Sequence, residues 1–191
     1  MAIKHKLDSL YAIMPFKYHD EIKNALLEKI STADYRTLNV ETAEVNITRA
    51  DWHNSNNMQR VWVQHIARYL LEELAVLYKE IGFDSFKINE IWFQQYLSGS
   101  GHGWHSHSSN FTNVYYLELP NGSPLTQIAS PYDRKQIIEI DVKEGDLLVF
   151  PSYALHRAPV NKSSQRKTII SYNIDAMVSD DTYGFGVGNN E

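Results

Sequence analysis

The sequence predicts a mainly β fold, an antiparallel sandwich or barrel with helices at one side. Three observations carry this. From about residue 86 onward, short apolar and aromatic runs alternate with Gly, Pro, Asn and Asp punctuation. Before that point, two stretches hold apolar residues at helical spacing. The chain is also rich in aromatics, with 12 Tyr, 7 Phe and 4 Trp, which suit a pleated, half-buried surface.

Residues 19–31 place Ile22, Ala25, Leu26 and Ile30 on one helical face, with Asp20 as a candidate cap. Residues 41–50 alternate around Val45 and Ile47 and read as a strand; 51–57 are polar and loop-like. The clearest helix runs from Gln59 to Glu80. Val63, Ile66, Leu70, Leu74 and Leu77 form its apolar stripe, and Gly82 is a suitable stop. His65, beside the stripe, reads as a structural or surface histidine. Lys87 to Leu97 is a strand, followed by a Gly/Ser/His loop. Phe111 to Leu119 is the next strand, with Val114, Tyr116 and, by simple alternation, Glu118 on one face. Pro120 to Pro124 is a turn. Leu125 to Lys135 reads as a loop with a short strand, and Ile137 to Val142 as a strand. Gly145 turns the chain into Leu147–Phe150, which Pro151 stops. Lys167 to Ile174 is the last strong strand, and 179–191 read as a weakly ordered tail.

At 191 residues the chain is expected to form one domain, 1–191, with helical and mixed support over about 1–85 and a β core over about 86–178. The net charge of −5 disfavours broad nucleic-acid or anionic-membrane binding. Cysteine is absent, which excludes disulfides and thiolate ligands and fits a reducing, cytoplasmic setting. No apolar run approaches the ~18 residues that span a bilayer. Met1 to Lys6 has no apolar stretch behind it and does not read as a secretory signal. Oligomeric state, a homodimer included, is left open.

The chemistry lies in the histidines. His105 and His107 stand at i and i+2, and an extended segment points two such side chains to one side. His156, from a distant strand, can close a three-point facial site on a divalent transition metal, leaving open positions for chemistry. Arg166, ten residues further on, offers a fork for a carboxylate. Thr168 is expected on the same strand face. Arg157 is a rival anion clamp, but its adjacency to His156 puts it on the opposite face.

The order and spacing of these motifs resemble the Fe(II)- and 2-oxoglutarate-dependent oxygenases, in the prolyl-4-hydroxylase-like branch. Tyr96-Leu97-Ser98-Gly99 precedes His105, Val114-Tyr115-Tyr116-Leu117 follows it, and Gly145-Asp146 leads into Leu147–Phe150. His156 and then Arg166-Lys167-Thr168 complete the series. The resemblance covers roughly residues 90–175. It implies a double-stranded β-helix, or jelly-roll, core. It also implies Fe(II) on His105, His107 and His156, and 2-oxoglutarate held by Arg166 and Thr168. Tyr96, Tyr116 and His102 would line the cofactor pocket. The implied reaction consumes O2 and 2-oxoglutarate, releases succinate and CO2, and hydroxylates a C–H bond of a primary substrate, a peptide side chain or a small metabolite.

One position departs from that pattern. The branch places a carboxylate where this chain has His107, so either three imidazoles bind the metal or a carboxylate such as Asp146 or Glu118 substitutes. Two further readings therefore stand beside the first. One is a cupin-like three-histidine iron dioxygenase that needs no 2-oxoglutarate. The other is a non-catalytic metal- or ligand-binding jelly roll.

Overall fold

The computed structural model describes residues 10–131 and 133–179; the amino-terminal expectation and most of the expected tail lie outside these. In chain order the strands and helices are β1 (Ala12–Pro15), α1 (His19–Ser31), β2 (Arg36–Val40), β3 (Val45–Ala50), α2 (Val61–Glu80), β4 (Ser85–Tyr96) and β5 (Gly101–His105). They continue with β6 (Phe111–Glu118), β7 (Gln127–Ala129), β8 (Ile137–Glu139), β9 (Asp146–Pro151), β10 (His156–Ala158) and β11 (Lys167–Met177). Both expected helices are present. The stretch 41–50 divides into a 3-10 turn, Glu41–Ala43, and β3. Short strands β1, β2 and β10 were not legible, because each is too brief for a period-two pattern to stand out.

The strands hydrogen-bond in the order β1-β9-β6-β11-β4-β3-β5-β10-β7-β8, with β2 on β3. Every pairing described is antiparallel. The protein is thus mainly β, a jelly-roll-like sheet with flanking helices. The first 85 residues supply three of its strands as well as both helices.

Alternation along the central strands divides the core in two. Ile91 and Phe93 of β4, Tyr115 and Leu117 of β6, Leu147 and Val149 of β9, and Ile170 and Tyr172 of β11 face the helices. There they meet Ile22, Leu26 and Ile30 of α1 and Ile66, Leu70 and Leu74 of α2. The alternate residues, Tyr96, Val114, Tyr116, Leu148, Phe150 and Ile169, turn into the roll with Ile128 and Ile140. The helices therefore seal one face, and the other face is free to build a lined interior.

A buried hub joins the layers. Asp51, fully buried, pairs with Arg60 and accepts from the Trp62 indole N–H at 2.9 Å and from the Phe93 backbone N–H at 2.9 Å. It pins the 3-10 turn Trp52–Asn54 between the start of α2 and the middle of β4. The expected polar loop at 51–57 is therefore a structural joint, and Asp51 is tolerated inside because its oxygens are satisfied.

Candidate metal centre

β5 and β10 are antiparallel neighbours, and their register sets His156 directly across from His105. Two residues past the end of β5, the backbone N–H of His107 donates to the Ser152 carbonyl at 2.9 Å, fixing the chain as it leaves the strand. One potential ligand nitrogen from each of His105, His107 and His156 lies within 4.8 Å of the others. Neither Asp146 nor Glu118 belongs to this cluster. Asp146 accepts from the Lys143 N–H, and Glu118 is held by Arg166.

Two of the three imidazoles are locked in orientation. His105 Nδ1 lies 2.8 Å from the Gly103 carbonyl, and His156 Nδ1 lies 2.9 Å from the Ala154 carbonyl. A carbonyl only accepts, so Nδ1 carries the proton and Nε2 keeps its lone pair for a metal. His107 is held by stacking, between Trp92 (centroids 5.7 Å apart) and His156 (5.2 Å). Burial lowers the pKa of His107 to about 4 and those of His105 and His156 below the ordinary value, the last also through neighbouring imidazoles. All three are neutral near pH 7, the form that binds metal. This donor set fits iron, zinc, copper or nickel, and three ligands from one side leave further positions open.

His102 stacks on His105, with centroids 3.7 Å apart and planes 14° apart. The register between β5 and β10 shifts here, with His102 opposite Ala158 and His105 opposite His156, so four residues of β5 face three of β10. The extra residue brings the two rings to one side. His102 and Arg157 border both the narrow cavity at the histidines and a broader cleft of about 720 Å³ that Glu41, Glu44 and Val160 help to line. Arg157 itself donates to Gln127 at 2.8 Å and lies over the Trp104 ring.

The arginine expected to clamp an anion is already paired with a carboxylate. Arg166 is 40% exposed and makes a two-pronged pair with Glu118, with both contacts at 2.8 Å. Thr168 also bonds Glu118. This pair shares the face of β11 turned away from the histidines. The residue between them points inward: Lys167 is 1% exposed. Its face is that of Ile169 and Ser171, which line the histidine cavity. Lys167 Nζ donates to the Pro124 carbonyl at 2.7 Å and sits 5.8 Å from the ring centres of both Tyr96 and Tyr116. Burial lowers its pKa to about 8. Tyr96, which also lines the histidine cavity, and Tyr116 both lie beside a lysine that the sequence reading passed over. The sequence alone carries no signal for this, because Lys167 is set on that face by its pairing with Tyr96 across the sheet.

Comparison with known proteins gives the same picture. The phytanoyl-CoA dioxygenase (PhyH) family matches residues 102–169. An oxidoreductase of the 2OG-Fe(II) oxygenase family from Burkholderia pseudomallei superposes with a TM-score of 0.67 at 12% identity, covering 87% of this chain and 85% of that one. The chain has the fold of the Fe(II)/2-oxoglutarate oxygenase superfamily. It shares that fold with prolyl-4-hydroxylases among the solved structures. A Pseudomonas putida prolyl-4-hydroxylase matches with a TM-score of 0.60 and 14% identity over 88% of this chain and 94% of that one. HygX from Streptomyces hygroscopicus, solved with nickel and 2-oxoglutarate, matches with a TM-score of 0.65 and 8% identity, covering 87% and 82%. No curated protein matches the sequence. In this oxygenase fold the three-histidine cluster stands where a two-histidine, one-carboxylate set is usual.

Proposed function

We propose that the chain is a three-histidine, iron-dependent dioxygenase whose metal centre takes a carboxylate-bearing ligand, with Lys167 as the carboxylate's anchor. The observation that carries this is the cluster of three metal-ready imidazoles together with a buried lysine on the strand face that Ile169 and Ser171 turn to the histidine cavity. Ferrous iron on His105, His107 and His156 would supply the activation of O2. Three neutral ligands leave that ion's full charge uncompensated, so the site favours an anionic ligand more than the usual triad does. Lys167, with a single backbone partner and two tyrosine rings beside it, is a cation awaiting an anion.

In the leading reading the carboxylate belongs to the substrate itself, which chelates the iron without 2-oxoglutarate. The all-histidine ligand set favours it. In the second reading the carboxylate is that of 2-oxoglutarate, with hydroxylation of a C–H bond in a separate substrate entering along the broader cleft. The oxygenase fold favours this one. An anaerobic visible spectrum of the Fe(II) protein separates them. A charge-transfer band that grows with 2-oxoglutarate, and weakens in Lys167→Met, supports the second. Tight iron binding without a band, with O2 consumed on adding a carboxylate substrate, supports the first. Iron binding with neither response leaves only the non-catalytic jelly roll.

A further inference from the structure

We infer that Trp92 and Trp52 form an electron relay between the metal centre and the surface, which drains oxidising equivalents left at the metal when no substrate takes them. The inference rests on the proposed metal centre. It starts from a continuous stack of aromatic rings. His156 and His107 lie nearly parallel at 5.2 Å, His107 and Trp92 at 5.7 Å with planes 24° apart, and Trp92 and Trp52 at 6.1 Å with planes 25° apart. Trp92 is buried, and Trp52 is 44% exposed. The path therefore runs from a metal ligand to solvent in two steps between neighbouring, nearly parallel rings.

The direction of flow follows from the indole protons. An oxidised tryptophan becomes a strong acid at its N–H, and losing that proton traps the radical. Trp92 Nε1 is buried with no hydrogen-bond partner among the described residues. A donor left unpaired in a native interior calls for an explanation, since it costs ~1–3 kcal/mol. Here no described protein group takes the proton of oxidised Trp92, so the vacancy passes on to Trp52. Trp52, in contact with water, can release its proton and hold the radical at the surface.

The electron count closes. With Fe(II) bound, peroxide would be reduced to water and leave two oxidising equivalents at the metal; one electron from Trp92 with one proton from water would bring the metal to Fe(III)-hydroxide. Trp52 returns one electron to Trp92 and gives its indole proton to water. A thiol from solution then gives one hydrogen atom to the Trp52 radical and leaves as a thiyl radical. Without a thiol, the Trp52 radical adds O2 to give a peroxyl radical, which takes one electron from Fe(II) protein still unoxidised and one proton from water and is recovered as a hydroperoxy-indole. The three ligand histidines and Trp92 are spared.

The test uses the Fe(II)-loaded protein treated with substoichiometric hydrogen peroxide without thiol, with oxygen addition mapped by peptide mass spectrometry. The Zn(II)-loaded protein is the redox-inert control. We expect Trp52 to carry most of the added oxygen, several-fold above the zinc control. In Trp92→Phe, which keeps the stack but is harder to oxidise, Trp52 oxidation should fall to the zinc level and damage should move to the peptides bearing His105, His107 and His156. In Trp52→Phe, a surface change that leaves the interior intact, oxidation should accumulate on Trp92. Equal Trp52 oxidation in the iron and zinc proteins, or a clean Trp92 in Trp52→Phe, would overturn the relay. Absence of iron binding in the titration that precedes the peroxide would sink the metal centre and the relay together, and is read separately.

Discussion

Lys167 concentrates the residue-scale physics. Its ammonium is lowered from the ordinary 10.5 to about 8 by burial alone. Between those values the unfolded chain holds a proton that the folded chain has released, so the unliganded protein gains stability as pH rises from 8 to 10.5. A bound carboxylate needs the charged form, so its affinity should fall as pH rises through 8 and should be markedly weaker at pH 9 than at pH 7 by equilibrium titration. Lys167→Met removes a buried charge with one partner. We expect it to raise stability in denaturant by about 1–3 kcal/mol while abolishing carboxylate binding; a destabilised variant would mean that Lys167 is structural. His107 is the other decisive residue. His107→Ala should weaken metal binding by more than the about 10–100-fold that loss of an outer-sphere partner costs. If isothermal titration finds affinity unchanged, the third imidazole is not a ligand.

At the scale of elements, what positions the site is the fit of short segments against one another. Gly103 shows how tight that fit is. A Cβ there would come within 2.9 Å of Glu44 Cβ and still closer to the Ala43 carbonyl, so only glycine lets β5 lie against the 41–44 turn. Glu44 is the one non-glycine residue at positive φ among the described residues, and its carbonyl accepts the Gly103 N–H at 3.0 Å. Gly103→Ala should therefore displace that turn and widen the cleft beside His102. The Asp51 hub holds another joint. Asp51→Ala leaves Arg60 charged and buried and the Phe93 and Trp62 donors unpaired, which should cost about 3–5 kcal/mol in a denaturant titration. Because Asp51 immediately precedes Trp52, the same change should reduce the Trp52–Trp92 stack. A loss below 1 kcal/mol would mean water repairs the joint.

For the molecule as a whole, the buried histidines tie stability to pH and to metal. Each of the three has a folded-state pKa below the unfolded value of 6.5, so their stability contribution is present above 6.5 and is lost as pH falls. The metal-free protein should therefore melt at progressively lower temperature below pH 6.5. Zinc or nickel at 100 times its Kd should add about 2.7 kcal/mol at neutral pH and progressively less in acid, as protons compete for the same nitrogens. A melting curve indifferent to metal at pH 7 would count against the centre.

Much of the site was legible in the chain, for a physical reason. His105 and His107 stand two apart in extended chain, and the Gly145 turn and Pro151 bound a strand by local sterics. These are local rules, and α1, α2, β4, β6, β9 and β11 follow them. What needed the tertiary structure was the face each residue takes when strands slip past each other. Glu118 should share the inward face of Val114 and Tyr116 by alternation, but the register of β6 against β11 shifts between Thr168 and Ile169. That bulge turns Glu118 outward, where it captures Arg166 and Thr168. Parity across β4 then turns Lys167 inward, opposite Tyr96. A one-residue slip reverses every side chain beyond it, and no local pattern records the slip. The sequence by itself determined that three histidines could meet; only the sheet's register decided that a lysine, and not the arginine beside it, faces the same interior.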